Sequence, residues 1–421
     1  MAVPNFRMFA AGQLVSVAGT WMMVVAQDWL VLSMTGDSPG ALGVVTALQF
    51  APLLLLTLYA GGLADRHDKR RLLVAANTVS GVLAGALAAL VLTGHVQLWH
   101  VYLFALALGS VNAVEVPARM SFVSELVGPR LLPNASALSA AYFNLARVGG
   151  PAVAGLMVGW WGTGPVMLVN AVSYVGTVVG LLLIQPAALH RAQRRPGAAR
   201  VADGIRHVRQ RRDLMLPMAL VAVIGMVGFN FHLTLPLLAK TVLDTDAAAF
   251  GLLTTALAVG SLAAALVTTA RRGRPTLRHV LAAALLFGLL EALAGLMPGY
   301  GAALVTLAGV GFASVYFAQA ANHHIQLGTD PAYRGRIMAL YTLVFQGTTP
   351  VGALLTAVIC EVYGVRWAMV AAGAVCAAAA AACQVADRRI GTSLDRPTPT
   401  REDSPVTPAE ESGADRSAAD H

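Results

Sequence analysis

The chain has 421 residues, of which 57% are hydrophobic and only 12% charged, and its formal net charge is +8. So little charge over such a length excludes a soluble globular protein, because too little polar surface remains to face water. The basic excess does not point to nucleic acid either: the arginines fall in short loops between apolar stretches and leave no charged face for a phosphate backbone.

Apolar stretches of about 20 residues, the length a helix needs to cross roughly 30 Å of hydrocarbon, recur from end to end. Backbone groups in lipid must be satisfied within the segment, so helices are expected, and the short alternating stretches of a β-barrel are absent from the sequence. Twelve spans are predicted, near residues 8–34, 41–62, 72–93, 98–117, 135–160, 163–185, 214–238, 249–270, 277–297, 301–322, 336–360 and 365–386. The first is too long for the core of a cleaved signal and lacks a small-residue cleavage site, so it reads as a span.

Bases sort by loop. Arg66, Lys69, Arg70 and Arg71 follow the second span, Arg119 and Arg130 the fourth, and Arg271, Arg272, Arg274 and Arg278 the eighth. Loops 34–40, 94–98 and 298–301 carry none, and Lys240 and Arg366 are the bases placed outside, so both termini are expected in the cytoplasm. The longest connection, 186–213, holds Arg191, Arg194, Arg195, Arg200, Arg206, Arg209, Arg211 and Arg212 and divides the spans six and six. The expected organisation is an all-α integral membrane protein: a bundle over 1–185, a cytoplasmic basic linker over 186–213, a second bundle over 214–388, and a polar, disordered cytoplasmic tail over 389–421. Residues 203–216 read equally as a solvated linker or as a helix on the inner membrane face, with Ile205, Val208 and Leu216 toward lipid.

The halves echo each other. A basic turn at 65–71 corresponds to one at 271–274, and a Gly/Pro interruption at 149–155 corresponds to one at 347–353 that contains Pro350. Paired interruptions of this kind point to a transporter built from repeats, with its substrate site between them.

The most informative stretch is GGLADRHDKRR, 61–71. Its charges cannot lie in hydrocarbon, so it is expected as a tight hairpin loop between the second and third spans. It resembles the loop signature of the major facilitator superfamily, GxLaDrxGrkr: Gly61, Leu63, Ala64, Asp65, Arg66, Lys69 and Arg70 match, while Asp68 replaces the second glycine. The resemblance implies two pseudo-symmetric six-helix bundles and a loop that latches the inner helix ends in one state and releases them in the other. In such a latch Gly61 and Gly62 allow close backbone approach, and Asp65, Arg66 and Arg70 find helix ends or acids on neighbouring helices. The alternative is that these charges only set orientation. In the fifth span, Gly150, Pro151 and Gly155 partly match the antiporter signature gxxxGPxxGG, with alanines at two of its glycines. Pro151 predicts a bend, and Gly155 with Gly159 predicts a close-packing face; simple helix packing is the alternative. Four further stretches, NFRMFAAGQLVSVAGTWM from Asn5, NAVEVPARMSFVSELV from Asn112, NASALSAAYFNLARVGGP from Asn134 and DGIRHVRQRRDL from Asp203, resemble bacterial exporters related to the enterobactin exporter and macrolide efflux proteins. This implies secondary active export of a small amphiphile, such as a drug, antibiotic or siderophore, by proton antiport across the bacterial cytoplasmic membrane. The expected partners are that substrate, protons and the lipid bilayer, with a monomer as the working unit and no cofactor.

Ionisable groups within spans are functional candidates because the membrane makes them costly. Asp28 is a candidate proton carrier or cation site, or a solvated acid near a helix end. Glu115 and Arg119 are spaced to pair over one helical turn near the inner face, where a structural or latch role competes with proton carriage. Arg147, the deepest charge of the first half, requires Glu115, Asp28 or carbonyls as partners. Glu291 stands alone in the ninth span, where a peripheral structural role competes with proton carriage. His232, His323 and His324 lie near span ends, where solvation is the commoner state. Trp21, Gln27, Asn112, Asn144, Asn230, Gln319 and Gln346 are candidates for the lumen, and interhelical hydrogen bonding is the alternative for each.

Other chemistries fail on pattern. Neither Lys69 nor Lys240 has P-loop spacing. GDSPG at 36–40 matches a serine-hydrolase pattern but lies in an outer loop rather than on a strand-to-helix turn. Cys360, Cys376 and Cys383 lack metal-ligand spacing. The chain is therefore not expected to be an enzyme. Two alternatives to an exporter remain, an importer of a small solute and a non-transporting membrane sensor or scaffold.

Overall fold

The computed structural model describes residues 3–185, 189, 190, 206, 208, 211–270, 275–330 and 333–394; the side chains of 57–66, 212 and 388–394 lie outside the described residues. The architecture is all helical, with no strand among those residues. Helix α1 covers Pro4–Thr35, α2 Pro39–Arg66, α3 Lys69–Leu92, α4 Leu98–Trp161 and α5 Thr163–Leu183. After the central connection come α6 Arg212–Val227, α7 Phe231–Leu237 with a π-helical turn at Leu238–Val242, α8 Ala247–Ala270, α9 Leu277–Leu296, α10 Tyr300–Gly328, α11 Arg334–Gly347, α12 Thr349–Tyr363 and α13 Val365–Leu394. Eleven helical segments are long and apolar enough to cross a membrane among the described residues, α6 with α7 and α11 with α12 each counting as one.

Local chemistry sets the boundaries. The 36–40 stretch ends one helix and starts the next: Gly36 caps α1 in the left-handed region (φ 61), and the Ser38 hydroxyl accepts the Ala41 N–H at 3.2 Å at the start of α2. The hydrolase-like pattern is thus two helix caps. The signature stretch is less of a loop than expected: α2 continues through Gly61, Gly62, Asp65 and Arg66, and only His67 and Asp68 separate it from α3. Asp68, at φ −64, needs no glycine there and instead caps α3, its carboxylate accepting the Arg71 N–H at 3.1 Å.

Further expectations are corrected. The region between the fourth and fifth spans is helical except at Gly128 (φ 70, ψ 173), so α4 runs for 64 residues as two helical sections meeting at one glycine. Pro129 directly follows that break, where its missing N–H costs no helical bond. The seventh span is discontinuous, interrupted between α6 and α7 around Gly228 and Asn230. In the second half the Gly/Pro interruption is a true break, α12 starting afresh with Pro350 in its first turn; Pro151, by contrast, stays within helical α4. Helix α13 also continues to Leu394, beyond the predicted bundle edge at 388. Most of the basic linker with its arginines, the basic turn Arg271, Arg272 and Arg274, and the tail from 395 lie outside the described residues.

Helices α1–α5 pack on one another, and α6–α13 do likewise; α4 against α8 and α2 against α12 join the two groups. Apolar side chains such as Val82, Leu182, Leu266 and Val305 are exposed, while Gln13, Ser16, Asp28, Asn77 and Ser261 are buried. That inversion of the soluble pattern is what lipid as solvent demands. Without a hydrophobic drive between helices, backbone approach holds the groups together. A Cβ on Gly251 of α8 would sit 2.3 Å from the Pro151 carbonyl oxygen, and one on Gly155 would sit 2.6 Å from that of Ala247. On Gly43 of α2, a Cβ would sit 2.5 Å from the Ala357 Cβ of α12. Gly150 meets Trp21 of α1 instead, and Gly159, expected to share this packing face, has nothing within 4 Å.

Candidate functional site

One face of α1 organises the interior. Gln13, Ser16, Val17, Thr20, Trp21, Val24 and Asp28 follow at steps of three and four residues or close multiples, so their side chains form one stripe. The stripe lines two adjoining cavities. The larger, about 380 Å³, adds Gln49 and Phe50 from α2, Asn77 and Ser80 from α3, Asn112, Glu115 and Arg119 from α4, Tyr174 from α5, His232 from α7 and Gln346 from α11. The smaller, about 160 Å³, lies between Trp21, Asp28, Arg147, Phe229, Phe231, His232, Phe250 and Thr254. Trp21, Val24 and His232 border both. Residues from both groups of helices therefore enclose a polar-floored, aromatic-walled chamber of the size that small-molecule sites occupy.

The charges are arranged unequally. Glu115 accepts the Arg119 Nε–H at 3.0 and 3.3 Å, an i, i+4 pair on the wall of the larger cavity. Arg147 reaches neither Glu115 nor any other carboxylate within 4 Å among the described residues. Its Nη2 donates to Ser261 Oγ of α8 at 3.2 Å, and its guanidinium lies 5.6 Å from the Trp21 ring centre. Asp28 is buried on the wall of the smaller cavity, and its Oδ2 has no hydrogen-bond partner.

Past the Asp28 end of the chamber the two groups of helices close on each other. Lys240 Nζ lies 2.6 Å from Asp37 Oδ1 and 5.3 Å from the Trp29 ring centre, and Trp29 stacks on Phe250 of α8 at 6.1 Å. Asp37 holds the left-handed backbone region (φ 67), a conformation uncommon outside glycine, with its N–H donating to the Leu32 carbonyl at 2.9 Å. Thr255 Oγ1 donates to the Val148 carbonyl at 3.1 Å near the Gly155–Gly251 crossing. At the opposite end, Lys69 Nζ meets Glu125 Oε1 at 2.5 Å, and Arg70 donates to the carbonyls of Leu181 and Leu182 at 2.6 and 2.7 Å. Arg70, expected to seek an acid, thus caps the end of α5, where helix carbonyls lack partners. The side chains of Gly61, Gly62, Asp65 and Arg66 lie outside the described residues.

Of the predicted lumen residues, Trp21, Asn112 and Gln346 line the chamber. Gln27 lines neither cavity, Asn144 bonds to the Ala140 carbonyl, Asn230 to those of Met226 and Val227, and Gln319 accepts from Thr268. Glu291 is buried away from both cavities on α9, where Gly288 packs on Gly373 of α13, and its Oε2 has no partner. His232, expected near a solvated span end, borders both cavities because the break between α6 and α7 places it inside. His324 bonds to the Pro275 carbonyl at 2.8 Å, and His323 is exposed. Sequence reasoning missed Gln13, Ser16, Thr20, Asn77 and Ser80, although their spacing on α1 and α3 was the available signal.

Comparison with known proteins adds a family. A family model described as transmembrane secretion effector matches residues 1–407. The chain is 23% identical over 370 residues to the staphyloferrin A transporter of Staphylococcus aureus, covering 85% of this chain and 90% of that protein. It is 28% identical over 375 residues to the multidrug efflux pump Tap of Mycobacterium tuberculosis (84% and 86%) and 21% identical over 369 residues to macrolide efflux protein A of Streptococcus pyogenes (86% and 91%). The fold is similar to that of the nucleoside transporter NupG, with a TM-score of 0.74 at 10% identity over 91% of this chain and 98% of the other.

Proposed function

Because the chain belongs to the transmembrane secretion effector family of the major facilitator superfamily, we propose that this membrane transporter exports a small amphiphile in exchange for protons. The single observation that carries the reading is the chamber walled by both groups of helices and shut at the Asp37–Lys240 end. A compartment closed on one side between two separable bodies is what alternating access needs. In this reading α4 supplies two crossings joined at Gly128, which brings the total to twelve in two bundles of six, with 186–213 and both termini in the cytoplasm of a bacterial cell and the closed end outside. The protein works as a monomer.

Asp28 is the proton carrier. A buried carboxylate without a partner is costly in a membrane, and protonation removes that cost. As the closed end opens, Asp28 gains contact with the outer water and takes up a proton; as it shuts, the proton passes to the chamber and inward. Glu115 is held by Arg119 and serves the wall. Lys69 on Glu125 and Arg70 on the α5 carbonyls tie α3 to its neighbours within the first bundle. Thr255 to Val148 and Lys240 to Asp37 are contacts between bundles that the outward swing must break. Carriers of siderophores, macrolides and other drugs among the relatives support export over import, as does the partial antiporter signature at Gly150, Pro151 and Gly155.

The test is uptake into inverted membrane vesicles of a radiolabelled macrolide, an aromatic carboxylate and ethidium under an imposed pH gradient, acid inside. Accumulation of at least one probe that a protonophore and Asp28→Asn both abolish is expected. Accumulation that ignores the gradient, or that Asp28→Asn leaves intact, refutes proton exchange at this residue.

A further inference from the structure

The guanidinium of Arg147 is a cation in the middle of a membrane helix with no acid beside it among the described residues. Glu115, the acid best spaced to reach it, is held by Arg119 at 3.0 and 3.3 Å. Asp28 lines the same small cavity, yet it does not come within ion-pair distance, and its Oδ2 is unbonded. One Arg147 nitrogen donates to Ser261, whose own hydroxyl is bonded to the Leu257 and Gly311 carbonyls. A guanidinium has five donors in a planar fork that suits a carboxylate, so most of the capacity of this one is unspent. Apart from His232 and Thr254, the rest of the cavity wall is aromatic or aliphatic, with Trp21, Phe229, Phe231, Phe250 and Leu257.

We infer that Arg147 is the receptor for the anionic group of the exported molecule, whose substrate class is an aromatic or apolar body bearing one carboxylate. A ligand carboxylate on Arg147 supplies the counter-charge that the protein withholds, in a largely apolar cavity where a charge-assisted bidentate contact is strengthened. The aromatic ring of the same ligand lies against Trp21 and the phenylalanines, and the remainder extends into the larger cavity past His232. One carboxylate suffices, because the other cation on the chamber wall, Arg119, is already neutralised by Glu115. The pairing also separates two roles within one cavity: Arg147 holds the cargo, and Asp28 stays free for the proton. This inference rests on the reading of the chamber as the substrate path, and equilibrium binding tests it apart from transport.

The experiment is equilibrium binding of radiolabelled 1-naphthoate, 1-naphthalenemethanol and 1-naphthylmethylammonium to the purified full chain in lipid nanodiscs, without any gradient. Naphthoate should bind about tenfold or more tighter than the alcohol. Arg147→Met should bring naphthoate down to the level of the alcohol while the alcohol changes by less than about twofold, which also shows that the variant is folded. Arg147→Lys should keep part of the preference, since it restores charge without the fork. Equal binding of naphthoate and the alcohol, no measurable naphthoate binding, or a preference retained in Arg147→Met overturns the inference. So does tightest binding of the ammonium, which would assign recognition to Asp28, or loss of naphthoate binding to chloride alone, which would make the counter-ion inorganic. Failure of proton-driven uptake with this preference intact would instead count against the exporter.

Discussion

Gly251 of α8 offers the sharpest test of how the closed end is held. A methyl group there would sit 2.3 Å from the Pro151 carbonyl oxygen and 3.0 Å from the Gly155 Cα, both backbone atoms of α4. Neither can rotate aside as a flexible side chain would, so Gly251→Ala must spread the two helices. Overpacking of this kind costs about 1–3 kcal/mol. The contact joins the two groups of helices, so in the proposed cycle the cost falls on the closed arrangement and is relieved in one where they part. That penalty shifts the balance between them by roughly 5–150-fold. Gly159→Ala, one helical turn beyond Gly155 with nothing within 4 Å, is the matched control. Spin labels at Trp160 and Asp244, both exposed near this crossing, would report the separation by pulsed electron resonance. A longer-distance population should grow in Gly251→Ala and not in Gly159→Ala. Identical distributions in a folded Gly251→Ala, or equal shifts in both variants, would refute the argument that this glycine contact sets the closed state.

Lys240→Ala should move the same distance distribution less than Gly251→Ala does. A partly exposed pair with Asp37 is worth about 1 kcal/mol or less and the Trp29 contact adds about 0.5–1 kcal/mol, and Asp37→Asn combined with Lys240→Ala should be less than additive. Arg70→Ala removes two charge-assisted bonds to the α5 carbonyls, at 2.6 and 2.7 Å, and should lower thermal stability by about 1.5–3 kcal/mol, read by unfolding of the detergent-solubilised protein. Glu291→Gln should leave proton-driven uptake within about twofold of wild type, because Glu291 borders neither cavity; a loss comparable to Asp28→Asn would move proton carriage to α9.

Most of the membrane architecture was legible because one physical rule, the cost of charge and bare backbone in lipid, writes itself into long stretches of sequence. Breaks were harder to see. The stretch between the fourth and fifth predicted spans, with Arg119 and Arg130, keeps helical geometry on both sides of Gly128, and Pro129 directly follows that break, where its missing N–H costs no helical bond. The interruption between α6 and α7 carried only Gly228 and Asn230 as signals, yet it is what turns His232 inward. At the site, Trp21, Asp28, Glu115, Arg119 and Arg147 were recognisable from the residue types that a membrane helix rarely bears. Gln13, Ser16 and Thr20 were missed because small polar residues are common in such helices, and only their shared face marks them as lining a chamber. The partner of Arg147 was unreadable for a different reason: pairing depends on which of several acids lies within a few ångströms, and sequence spacing resolves that only within one helix.

The corner at Gly128 has a mechanical consequence. A Cβ there would press on the His190 ring at 3.2 Å, the His190 N–H donates to the Glu125 carbonyl at 2.8 Å, and the Glu125 side chain holds Lys69. The chain is therefore held against the elbow of α4 at His190, five residues beyond Gln185. Through Glu125 the same contact reaches Lys69 in the first turn of α3, so the elbow of α4, His190 and the start of α3 are held as one unit.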